Sequence, residues 1–332
     1  MQRRDFLKTT GIGVAGLASG QLAGGGLSAV FAAEGKSPTE LTVRRAAPDR
    51  FELDFRPAAP RPLRILQITD THFGNPEGEY PRRDERSFEL IRQLVAQEKV
   101  DLVAHTGDFV NNDRGPKVLW NAVDFMDSLG VPWTHALGNH DIGAVPVDEF
   151  RAKSRSGLFG EFEQDGKKHY AFRFDVVSGG QPAYGIYVFD SGFKNPLKFV
   201  SAPQLEWFAR QMQDDEQRQL TIPAIALIHI PVVEFEKLRA AGEFNGIYGE
   251  TVCCETDSGK TFAEFEKSRR VQAIFSGHDH ENDYRGAWNG IELVYGRVSG
   301  YSGYGDLDRG GRLIEIDVEQ GTYRHRLVFP AG

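Results

Sequence analysis

Short apolar runs alternate along this chain with segments whose apolar residues recur every three or four positions. Residues 64–70 form the first run. Residues 85–99 follow, with Phe88, Ile91, Leu94 and Val95 on helical spacing. The run 101–108 precedes a second helical pattern at 117–129, and 133–140 is a third strand-like run. Longer strands are predicted at 170–176, 184–191, 224–230 and 272–277. Beyond Asp283 the pattern is mostly β, with runs at 291–295, 313–318 and 322–329 between glycine-rich turns. Strands alternating with helices predict sheets covered by helices. No internal repeat or linker divides the chain, so one compact domain is expected over 63–332. Upstream, residues 33–62 hold five prolines around strand-like pieces at 41–45 and 51–55, which reads as an edge hairpin.

Residues 1–32 break this alternation. Arg3, Arg4 and Lys8 precede a Gly- and Ala-rich apolar stretch that ends at small residues near Ala32, the form of a secretory signal. Arg-Arg-x-Phe-Leu-Lys is similar to the twin-arginine signal, by which bacteria export folded proteins. Seven glycines between Gly11 and Ala32 make the stretch a poor membrane span. The expectation is an export signal read by the twin-arginine machinery. It implies a periplasmic or extracellular protein with no stable membrane span after processing.

Composition adds limits. The 332 residues are 40% hydrophobic and 26% charged, as in ordinary globular proteins. A formal charge of −8, with no Lys/Arg cluster past the N-terminus, weighs against nucleic acid as a partner. It leaves a phosphate substrate open, because bound cations reverse the local field. The only cysteines, Cys253 and Cys254, are adjacent, so neither a disulfide framework nor a Cys-based zinc site is expected. Two free thiols are expected, with a strained bridge between the neighbours as the alternative.

The ends of the apolar runs carry the chemistry. They read Asp70-Thr71-His72, Gly107-Asp108, Gly138-Asn139-His140-Asp141, Leu227-Ile228-His229 and Gly277-His278-Asp279-His280. Sites of α/β proteins form outside the carboxyl ends of strands. Strand alternation would turn Asp70 with His72, and His278 with His280, toward one pocket. Each motif alone is weak, but the set takes five of the nine histidines. His105 and His135 are expected in the core, and His169 and His325 at the surface. Arg297 with Tyr301 and Tyr304 either lines a substrate mouth or packs on the sheet. Phe235 and Phe244 are candidates for a loop over the pocket.

In this order the motifs resemble those of the calcineurin-like metallophosphoesterases, over about residues 64–280. The stretches 277–284 and 295–305 are similar to the short purple-acid-phosphatase-like branch. The resemblance implies a four-layer α/β/β/α sandwich of two mixed sheets flanked by helices. It also implies a two-metal centre, with Asp70, His72, Asp108 and His280 on one ion and Asp108, Asn139, His229 and His278 on the other. Two departures stand out: His72 replaces a glycine of the purple enzymes, and Asn111 stands where they have a metal-bound tyrosine. A tyrosinate–Fe(III) colour is therefore not expected. The donors suit Fe, Mn or Zn, as two divalent or mixed-valence ions.

The resemblance gives His140 no metal. That makes it the candidate to contact the phosphate and protonate the leaving oxygen, with Asp141 holding its ring. Asp279 is a further candidate orienter. The implied function is hydrolysis of a small phosphomonoester by hydroxide generated between two cations. Phosphodiester or nucleotide hydrolysis is the runner-up. An exported protein that binds metal or phosphate without turnover is the minor alternative.

Overall fold

A computed structural model describes residues 40–74, 82–111, 116–141, 149, 152–191, 199–256 and 259–331. The proposed signal at 1–32 lies outside the described residues. Among the described residues no helix is long and apolar enough to cross a membrane.

Two mixed sheets form the centre. The smaller runs, in spatial order, β16 (Thr322–Val328), β15 (Gly311–Asp317), β3 (Leu63–Ile68), β4 (Leu102–His105) and β5 (Trp133–His135). Its β3, β4 and β5 are parallel, whereas β15 runs against β3. The nine-stranded sheet begins with the hairpin β1 (Leu41–Ala47) and β2 (Arg50–Phe55), then β8 (Ala171–Ser178) and β9 (Gln181–Phe189). It continues through β10 (Ala224–Leu227), β12 (Val271–Ser276), β14 (Ile291–Tyr295) and β13 (Asn282–Trp288), and ends at β11 (Asn245–Tyr248). Here β9, β10, β12 and β14 are mutually parallel, and a separate ribbon pairs β6 (Phe162–Gln164) with β7 (Lys167–His169).

Alternation explains the layers. Ile225 and Leu227 of β10 join one core cluster with Ile65 of β3 and Val103 of β4, between the two sheets. Ala224, Ala226 and Ile228 face the other way. There they meet α3 (Ala202–Gln217) through Trp207 and Phe208, α4 (Glu234–Ala241) through Phe235, and α5 (Lys260–Ser268) through Phe265. A strand buried on both faces reads as a continuous apolar run rather than an alternation. On the far side of the small sheet, α1 (Arg82–Glu98) contributes Ile91 and Leu94, and α2 (Pro116–Asp127) contributes Val123 and Met126. The order of layers is α/β/β/α, as the motifs implied.

Strands stop sooner than the apolar runs suggest. The third run continues to His140, yet β5 ends at His135 and a single 3-10 turn covers Asn139–Asp141. The parallel strands of both sheets end on the same side, and the ligand-type residues follow them in loops.

Candidate metal centre

The carboxyl ends of β3, β4, β5, β10 and β12 each deliver one group of polar side chains to a shared cleft between the sheets. Asp70 and His72 lie past the end of β3 with φ of 54° and 45°, and Asp108 and His278 have φ of 54° and 82°. None of these is extended backbone. The pairwise convergence expected from strand alternation is therefore corrected: left-handed turns aim these side chains. A non-glycine residue in that region costs roughly 1–2 kcal/mol, strain of the kind that gathers at functional sites. Backbone bonds lock the turns, with Asp70 N donating to Gly107 O and His72 N to Asp108 O, both at 3.0 Å. Glycine is required beside them. A Cβ on Gly107 would lie 2.2 Å from His229 Nδ1, and one on Gly277 would lie 2.0 Å from Thr69 Oγ1.

Three overlapping groups of donor atoms result, each with all its atoms within 4.8 Å: Asp70–His72–His280, His72–Asp108–His140 and Asp108–His229–His278. Asp108 faces both ways. Its Oδ2 is 3.6 Å from His72 Nε2, while its Oδ1 is 3.3 Å from His229 Nε2 and accepts the His140 N–H at 2.8 Å. Asn139 Oδ1 lies 3.2 Å from His229 Nε2. His72 Nε2 and His280 Nε2 face each other at 3.2 Å.

These residues fit a cation pair. Asp70 Oδ2 accepts from Thr69 Oγ1 and His278 N, but buried Asp70 Oδ1 takes no hydrogen bond, although His280 Nε2 is 3.3 Å away. Two of the histidines are pre-set with Nε2 inward. His229 Nδ1 donates to Thr106 O at 2.8 Å, and His280 Nδ1 lies 3.3 Å from Tyr304 O, the outer partners that fix a metal-binding tautomer. Burial pushes His72 down to about 4, against the pull of Asp108, which leaves a neutral imidazole with a free lone pair. Burial alone would lower His229 too, but Asp108 and Asp70 raise it to about 10. Burial would raise Asp108 and Asp70, yet the neighbouring imidazoles hold both carboxyls below the usual range. The pocket therefore stabilises positive charge at its centre.

Asp141 does not hold the His140 ring. Its buried carboxylate accepts from the backbone N–H groups of Gly138, Asp108, Phe109 and Val110 at 2.8–3.2 Å, and lies 3.1 Å from His135 Nε2. It ties the β4 loop to the β5 loop. The His140 ring instead packs edge-on to His72 at 4.9 Å, and its buried Nδ1 has no hydrogen-bond partner.

Several outlying residues find other places. His105 is core, bonded to Thr71 Oγ1 at 2.9 Å. The His325 side chain is only 3% exposed, between Arg312 and Glu292, because β16 packs it against the neighbouring sheet and not into solvent. Arg297 leaves the candidate mouth: it is buried and paired with Asp283 at 2.7 Å. Phe235 is fully buried and Phe244 packs on Tyr284, so neither covers the cleft. Asp279 is buried, and burial pushes its carboxyl up to about 6 although Tyr295 Oη and Cys253 N donate to it. Neither Cys253 nor Cys254 forms a disulfide.

Sequence reasoning left Tyr304 undecided and missed Glu250. The Tyr304 ring stacks on His280 at 3.9 Å and 15°, its Oη accepts the His280 N–H at 3.3 Å, and it donates to the Glu250 carboxylate at 2.8 Å. Glu250 also accepts from Glu281 N at 2.7 Å. No local pattern around Glu250 signals this, since it depends on β11 pairing with β13.

A profile of the family described as calcineurin-like phosphoesterase matches residues 63–282. Among curated proteins, "Probable inactive purple acid phosphatase 14" of Arabidopsis thaliana is 26% identical over 320 residues, covering 82% of this chain and 78% of that one. "Phosphatase DCR2" of Saccharomyces cerevisiae is 26% identical over 301 residues, covering 78% of this chain and 52% of the relative. Among solved structures, a dimetal phosphatase from Danio rerio aligns with a TM-score of 0.53 at 16% identity, over 82% of this chain and 100% of that one. At that identity the likeness concerns the fold.

Proposed function

The chain belongs to the calcineurin-like phosphoesterase family, and from that premise we propose that it is a dimetal-dependent phosphoesterase acting on small phosphomonoesters. The observation that carries this reading is Asp108, whose two carboxylate oxygens face two separate clusters of imidazoles. Asp70, His72, Asp108 and His280 would hold one ion, and Asp108, Asn139, His229 and His278 the other. The ions, two of Fe, Mn or Zn, would supply Lewis acidity to the phosphoryl oxygens and a more acidic attacking water.

The protein's own work is placement and proton transfer. His140 stands on the 3-10 turn after β5, with its main chain fixed to Asp108 and its ring left over for the substrate. It would contact the phosphate and deliver a proton to the leaving oxygen. Asp141 holds the two loops in register beneath it. Asp70, Asp108 and His229 are themselves almost fully buried, which strengthens each charge among them.

A panel of chromogenic monoesters and diesters, run beside metal-depleted protein, tests the assignment. Monoester hydrolysis that disappears on chelation and returns with metal is the expected result. Preference for the diester would move the assignment to phosphodiester or nucleotide hydrolysis. The name of the Arabidopsis relative favours one other reading, an exported protein that binds metal or phosphate without turnover. Metal retention with no hydrolysis of any ester would support it. Export through the twin-arginine route remains part of the proposal, tested by replacing Arg3 and Arg4 with Lys and following secretion.

A further inference from the structure

The segment 249–254 after β11 crosses the outer side of the loop that carries His278, Asp279 and His280. It is pinned there. Gly249 N and Glu250 N both donate to Asn282 Oδ1 at 3.1 Å, and Glu250 takes Glu281 N and Tyr304 Oη. Cys253 N donates to the Asp279 carboxylate at 3.1 Å. The outcome is a cluster with no signature in the local sequence pattern. The Cys253 sulfur, a ring nitrogen of His278 and a carboxylate oxygen of Asp279 lie within 4.8 Å of one another.

The chemistry of this trio differs from that of the cleft. Thiolate, imidazole and carboxylate together suit a tetrahedral borderline or soft ion, with a fourth position left for solvent. The hard ions that favour all-oxygen sites gain little from sulfur. Asp279 is buried and oriented by the Tyr295 hydroxyl at 2.6 Å, the support from behind that a metal-binding carboxylate needs. Cys253 is exposed, so an ion can enter from solvent. Cys254 is part of no such group among the described residues.

We propose that Cys253, His278 and Asp279 form an additional cation site, selective for a zinc- or cadmium-type ion, which competes with the dimetal centre for His278. On binding, the thiol releases its proton to solvent and its sulfur donates a lone pair to the ion; nothing is oxidised. Only the consequence for hydrolysis rests on the phosphoesterase reading: excess zinc or cadmium inhibits by drawing His278 away from the second ion.

The test is a cadmium titration of the full-length, metal-replete protein, read by sulfur-to-cadmium charge-transfer absorption and, separately, by ester hydrolysis. The wild type and Cys254→Ser develop a band that saturates, whereas Cys253→Ser develops none. Asp279→Asn keeps the thiol and needs about tenfold more cadmium to reach the same band. Cys253→Ser also resists cadmium inhibition by about tenfold or more. A band that persists in Cys253→Ser, or is absent from the wild type, overturns the site. An unchanged titration in Asp279→Asn also overturns it, showing a solitary thiol. If no ester is hydrolysed by any preparation, the phosphoesterase reading falls while the absorption arm still decides this one.

Discussion

Two clusters of buried charge lie on opposite sides of the nine-stranded sheet, and they are built on different terms. On the outer face, fully buried Arg173 donates to Asp175 Oδ1 at 2.7 Å, to Asp215 Oδ2 at 2.9 Å and to Tyr187 Oη at 3.0 Å. Its charge and its hydrogen bonds are answered within the chain. In the cleft, Asp70 and Asp108 face imidazoles whose Nε2 atoms point inward, and Asp70 Oδ1 accepts nothing. The first cluster is closed; the second leaves a buried carboxylate oxygen open, as a family with a two-metal centre implies. A buried ion pair left with one partner is strongly destabilising, so an open cluster at this depth signals something else that binds there.

Asp108 is the hub of the open cluster. Asp108→Asn removes the oxygen charge common to both metal groups, and it should lose metal together with activity, by about a thousandfold or more. His229→Ala should behave alike, read by elemental analysis beside turnover. In the closed cluster the opposite pattern is expected. Arg173→Met takes the central cation from Asp175 and Asp215, leaving only Arg50 beside them at 3.3 and 3.9 Å, and should cost about 3 kcal/mol in denaturant unfolding. Metal content and turnover per folded molecule should hold. Loss of bound metal in that variant would mean that the two clusters are not independent.

Smaller changes sharpen the contrast inside the cleft. His140→Ala should keep both metals and lose about 10²-fold or more in kcat, the share of a positioned proton donor. Equal metal loss in this variant would move His140 among the ligands, which its nearness to His72 and Asp108 makes a real test. Tyr304→Ala should weaken metal binding by about tenfold, and Tyr304→Phe, which keeps the stacking on His280, by less. Competition with a chelator measures both.

The mildest effect lies outside either cluster, at Glu292. Burial would raise its carboxyl, but bonds from His325, Tyr323 and Arg285 hold it down to about 2 against an ordinary value of 4.5. A depressed folded value contributes stability above the ordinary value, and that stability fades as pH falls from 4.5 toward 2. After allowance for its partly open side, the contribution is about 1–2 kcal/mol. Glu292→Gln should remove the matching portion of acid sensitivity in unfolding measured across that window.

The five ligand-type groups were legible because glycine and ligand residues sit at the ends of strands whose apolar runs are unbroken, and the order of layers followed from the resemblance those groups carry. How the side chains converge was not legible. Alternation would pair Asp70 with His72 on one strand face, yet left-handed turns do it, and those turns depend on backbone bonds to the β4 loop. Asp141 shows the same limit: beside His140 in sequence, it serves the N–H groups of a loop some thirty residues earlier. Arg297 stayed open between mouth and sheet, and Phe235 read as a candidate cover for the pocket, because their partners, Asp283 and the outer helix layer, are close only in the fold. Cys253 gains its neighbours through the pairing of β11 with β13, which no local pattern reveals.

The most direct test is anomalous diffraction from crystals of metal-replete protein, collected at the absorption edge of the ion found by elemental analysis. Two peaks are expected about 3.5–4 Å apart, one on each side of the Asp108 carboxylate. One should lie toward Asp70, His72 and His280, the other toward Asn139, His229 and His278. A single peak, or a pair that leaves Asp108 to one side, would contradict the account.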